Sequence, residues 1–109
     1  MTNEFGIRLD ANGYAPSVIE PFDTEMCYLC GKGGDLVRHE VYHGISNRAK
    51  SKALGAWVNL CPDCHDKLHN RDPKVDWDLK RTSQIRIMAE YEWTTEDFRM
   101  RFGKSYVEE

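Results

Sequence analysis

The sequence predicts a small α+β fold in a single domain stapled by a metal ion, and three observations carry that expectation. The chain has 109 residues, enough for one domain but with a core small enough to need a staple. Its four cysteines form two Cys-x-x-Cys pairs, Cys27/Cys30 and Cys61/Cys64, with thirty residues between them. Strand-like segments rich in β-branched and aromatic residues alternate with helix signals opened by proline or threonine.

Taken in order, residues 1–25 form an N-terminal arm, 26–70 the core and 71–109 a helical tail. The arm is rich in turn formers (Asn12-Gly13, Pro16, Pro21) and reads as extended chain with short strand pieces and a hairpin turn. Asp10-Ala11-Asn12 opens like a calcium loop, but the position that should carry the closing Glu is Pro21. After the first cysteine pair, Gly31, Gly33 and Gly34 bend the chain into a strand over about Leu36–Tyr42. Residues 46–54 predict a short basic helix, capped by Ser46 or Asn47 and stopped by Gly55. Trp57–Leu60 is a second strand. A helix starts at Pro62 and runs to about Asn70. Another covers about Asp76 to Trp93, its apolar positions only roughly helical in spacing. A last helix, about Thr95 to Phe102, is capped by Thr94 or Thr95 and closed by Gly103.

Composition narrows the function classes. A 40% hydrophobic content with 11% aromatics is that of a globular chain. No apolar run approaches the ~18 residues of a membrane span, and MTNEFGIRLD lacks the basic and apolar regions of a secretory signal, so the expectation is cytoplasmic, without a membrane partner. The formal charge of −3 argues against coating nucleic acid by bulk charge. A local basic stretch remains, in which Arg38, Arg48, Lys50 and Lys52 face only Glu40 in sequence.

In a reducing compartment the cysteines read as metal ligands. Two knuckles supply four thiolates, the closed tetrahedral set of structural zinc, and no cysteine is left over. A redox role would need one Cys-x-x-Cys at a helix start within a βαβ unit, which is missing. The histidines point to a second, open site. His65 and His69 stand at i and i+4 on the helix that follows the second knuckle, hence on one face. His39, from the preceding strand, can converge on them. His39-Glu40-Val41-Tyr42-His43 also matches the H-E-x-x-H of zinc proteases. That motif needs a helix, whereas a strand would hold His39 and His43 ~13 Å apart. Nucleobase deaminases expect H-x-E and P-C-x-x-C, and both patterns miss.

The order Cys27-x-x-Cys30, His39-Glu40, Leu60-Cys61-Pro62-Asp63-Cys64-His65-x-x-x-His69 resembles the HNH endonucleases. The phrase from His39 through Gly44, Asn47-Arg48, Ser51 and Gly55 to Val58-Asn59-Leu60-Cys61 looks most like small phage or prophage members. The resemblance covers residues 26–70, with a looser match in the tail. It implies a zinc-stabilised ββα-metal core and a metal-dependent DNA endonuclease of the host cytoplasm, acting on DNA and with other phage DNA-processing proteins. It further implies His39, Glu40, His65 and His69 as catalytic residues, of which His39, His65 and His69 hold a divalent ion (Mg²⁺, Mn²⁺, Ni²⁺ or Zn²⁺). Glu40 stands where the family carries its general-base His, a one-residue shift would instead make His39 the base, and the family's Asn falls in register on Ala56. Asn59 or Asn47 is then the candidate to orient the base, and Arg48, Lys50 and Lys52 are candidate phosphate contacts. The alternative is a non-catalytic zinc module that binds DNA or a phage protein.

Overall fold

The computed structural model describes residues 1–21, 24–70 and 72–107. Its elements run β1 (Val37–Glu40), α1 (Asn47–Leu54), β2 (Trp57–Leu60), α2 (Pro62–Asn70), α3 (Pro73–Tyr91) and α4 (Thr95–Phe102). β1 and β2 form a two-stranded antiparallel sheet with Val37 opposite Leu60 and His39 opposite Val58. α2 leaves β2 after one residue and lies against both strands. The fold is α+β, as expected.

Local chemistry explains the boundaries. Gly55 ends α1 at φ 85°, and a Cβ there would collide with the Pro16 carbonyl, so only glycine lets the arm approach this closely. Ser46 occupies the cap of α1, but its side chain makes no capping bond. α4 opens on a reciprocal box: Thr94 accepts from the Asp97 N–H, and Asp97 accepts from the Thr94 N–H.

Two elements differ from expectation. α3 begins at Pro73, with Asp72 accepting from the Val75 N–H as its cap, because proline suits the first turn. It stops at Tyr91, since Glu92 turns left-handed at φ 57°. β1 stops at Glu40 rather than Tyr42. One more backbone bond follows, from the Val41 N–H to the Ala56 carbonyl, and the chain then turns away through Gly44 at φ 102°.

The core lies between the sheet and α3–α4. Val41, Val58, Leu60, Ile87 and Phe98 are wholly buried. Tyr42 sits among Phe98, Phe102 and Tyr106 and donates its hydroxyl to the Lys80 carbonyl at 2.6 Å, which keeps this buried polar tip satisfied. The arm is laid along α1 and β2. The Asp10 carboxylate accepts from the Asn12 and Tyr14 N–H groups to form its turn. Trp57 Nε1 donates to the Ala15 carbonyl at 2.7 Å, and the Ser17 hydroxyl donates to the Trp57 carbonyl at 2.6 Å. Among the described residues no helix is long and apolar enough to cross a membrane.

Candidate metal centre and histidine pocket

α2 carries two clusters, one at its first turn and one along its exposed side. The Sγ atoms of Cys27, Cys30, Cys61 and Cys64 all lie within 4.8 Å of one another. The first pair reaches them through a tight knuckle in which the Gly31 N–H bonds the Cys27 carbonyl. The second pair spans the end of β2 and the start of α2, where the Cys64 N–H points at Cys61 Sγ, 3.4 Å away. Cys30 and Cys61 Sγ are 3.8 Å apart, matching the ~3.8 Å edge of a tetrahedron with metal–sulfur bonds of ~2.3 Å. Four sulfurs at this spacing can hold a structural ion such as zinc.

Electrostatics agree with that fit. Burial raises the Cys27 thiol, but backbone N–H donors around the knuckle outweigh it and bring it down to about 6. Cys64 is pushed up to about 12, by burial first and then by the neighbouring thiols. Four thiols packed this closely cannot all ionise in each other's company, and a divalent cation removes that conflict.

The second cluster joins β1 to α2. His39, His65 and His69 each bring a ring nitrogen within 4.8 Å of the other two. The Nε2 atoms of His65 and His69 are 3.2 Å apart, close to the ~3.3 Å edge of a tetrahedron with metal–nitrogen bonds of ~2.0–2.1 Å. His39 is 1% exposed, and its Nε2 is buried without a hydrogen-bond partner among the described residues. Such an orphan is costly unless something binds it, and a cation at the junction of the three rings would satisfy it. Burial, then the adjacent imidazoles, holds His39 down at about 3. Burial and His69 likewise lower His65. Rings kept neutral keep the lone pairs that a metal needs.

A pocket of about 160 Å³ opens over this cluster, lined by the three histidines with Arg38, Glu40, His43 and Arg48. The Glu40 carboxylate accepts from the Tyr14 hydroxyl at 3.0 Å through one oxygen and faces Arg48 Nε at 3.4 Å through the other. Burial and then this carboxylate raise Tyr14 to about 12, so it stays a donor.

The structure separates the remaining candidates. Arg48 lines the pocket. Lys50 instead donates to the Arg101 carbonyl, and Lys52 lies over the Tyr14 ring, 4.8 Å from its centroid. Asn59 pairs with Arg38 across the sheet, one register position away from His39, and its amide donates to Glu20. Asn47 donates to the Phe102 carbonyl. Neither amide lines the histidine pocket.

His43 is the residue that sequence reasoning missed. A continuous strand would hold it ~13 Å from His39, but β1 ends at Glu40, and the two ring centroids are 6.0 Å apart. His43 also lies 5.4 Å from the His69 ring, with its Nε2 3.9 Å from an Asp76 carboxylate oxygen. Gly44 immediately after His43 was the available signal for that turn. Distance therefore does not keep His39 and His43 from one ion, but residues 39–43 do not form the helix that the zinc-protease motif requires.

No family model, curated protein or solved structure matches the chain.

Proposed function

We propose that this chain is a metal-dependent endonuclease of the HNH type, phage or prophage encoded, hydrolysing phosphodiester bonds in DNA. The observation that carries the reading is the meeting of His39 from β1 with His65 and His69 from α2 around one buried, unpartnered nitrogen, at the floor of a pocket rimmed by arginines. The ordered sequence motifs of residues 26–70 support it independently.

In this reading His39, His65 and His69 hold the catalytic ion. A divalent cation there, when bound, supplies Lewis-acid stabilisation of the charge that develops on the phosphate and on the leaving oxygen. Glu40 takes the place of the general base: its carboxylate accepts a proton from water as the water oxygen bonds to phosphorus and the P–O3′ bond breaks. Tyr14 and Arg48 orient that carboxylate from its two oxygens. Arg48 at the rim meets the phosphate.

One observation favours a second reading, a zinc module that binds DNA or a phage protein without cutting it. The amides of Asn59 and Asn47 are both engaged away from His39, so neither orients a base. Supercoiled plasmid incubated with Mg²⁺, Mn²⁺, Ni²⁺ or Zn²⁺ separates the two. Relaxed circles or linear product that disappear in His65→Ala support the nuclease. Intact plasmid under every ion, with a retained gel shift, leaves the binding module.

A further inference from the structure

Arg38, which lines the histidine pocket, also lines a second cavity, of about 330 Å³, between the arm and the sheet. Its size falls at the lower end of small-molecule sites, ~300–1,000 Å³. Its walls combine two aromatic rings, Tyr14 and Trp57, with two guanidinium groups, Arg8 and Arg38. Arg38 lies within reach of both rings, which meet edge-on, its guanidinium carbon 4.5 Å from the Tyr14 centroid and 4.8 Å from that of Trp57. Its charge is already met by Asp10 at 2.6 Å. Arg8 is exposed and has no ion-pair partner among the described residues, so its charge is available to a ligand.

We propose that this cavity binds one nucleotide of the substrate strand next to the bond cut in the histidine pocket. The Arg38 guanidinium, braced by the Tyr14 and Trp57 rings, offers a face on which any base can stack, and Arg8 offers the counter-charge for its phosphate. A single nucleic-acid strand can occupy both places at once, because Arg38 lines both pockets and Tyr14 links the cavity to Glu40. Stacking of an unpaired base requires the strand to be splayed, so the cavity selects single-stranded or locally opened DNA over closed duplex. This inference deepens the nuclease reading and rests on it for the identity of the strand.

The test uses the zinc-loaded full chain and a fluorescein-labelled twelve-nucleotide single strand, with binding read by polarisation without added divalent ion. Arg8→Ala is expected to weaken binding about tenfold. In the plasmid assay it should raise KM about fivefold with kcat changed less than twofold. A 4-thiothymidine in the strand should photocrosslink to residues 8–17 or to Trp57. Cleavage by the parent with Arg8→Ala unchanged in binding and KM, or crosslinks confined to other segments, overturns the nucleotide site and leaves the nuclease standing. Arg8-dependent binding with no cleavage under any ion does the reverse. No binding of nucleic acid by the parent overturns both.

Discussion

The two clusters on α2 are built from the same helix in different ways. The cysteine cluster gathers four donors from two knuckles, within 4.8 Å of one another, into a set that can enclose one ion. The histidine cluster gathers three and opens on a pocket with two arginines and a carboxylate at its rim. A saturated set of sulfurs leaves no coordination position for chemistry, so its contribution is to folding. Three imidazoles leave a position for water or substrate, and that is the arrangement of catalytic sites. A small domain can thus place four thiols able to hold a staple beside a candidate reaction centre, and an ion held by the thiols would fix the orientation of the helix that presents His65 and His69.

Substitutions test whether the roles are truly divided. The largest effect is expected at the closed site. Cys61→Ser removes a ligand whose ion contributes on the order of 10 kcal/mol in small zinc domains. The variant should lose its helical circular dichroism and its bound zinc together; native dichroism with full zinc content would break the comparison. His65→Ala should spare folding and the cysteine-held zinc but reduce plasmid cleavage by more than the ~10–100-fold typical of partners outside a metal's immediate ligands. Unfolding of this variant would show that both clusters are structural.

Smaller effects sharpen the picture from the arm. Gly55→Ala forces a side chain into a left-handed residue facing the Pro16 carbonyl, at a cost of about 1–3 kcal/mol. Thermal unfolding should shift down and cleavage should fall as Tyr14 leaves Glu40, with zinc content unchanged. Tyr14→Phe keeps the ring and deletes only the hydroxyl bond to the Glu40 carboxylate, worth about 1.5–3 kcal/mol. A fewfold loss in kcat with unchanged single-strand binding is expected, measured by initial rates on plasmid.

Much of this was legible in the sequence where one strong local rule governs. β2, α2 and α4 have the expected bounds, because a short apolar run, a proline at the first turn and a threonine cap each leave one good solution. The four cysteines declared their meeting by spacing alone. α3 starts three residues before the expected Asp76, because its apolar spacing is weakly periodic and the Asp72-Pro73 start is a better signal than the period. What could not be read depends on long-range return of the chain. Val41–Gly44 folds His43 back beside His39, and the arm brings Tyr14 to a carboxylate 26 residues away. Asn59 shows the converse: its position near the site in sequence is undone by strand alternation, which hands its amide to Glu20.

The most direct measurement is cobalt titration of the metal-free chain, followed by visible absorption. The account predicts two equivalents: a first with thiolate-to-metal charge transfer, from the cysteines, and a second without it, from the imidazoles, with only the second lost in His65→Ala. A single equivalent, or a second that survives that substitution, would contradict it.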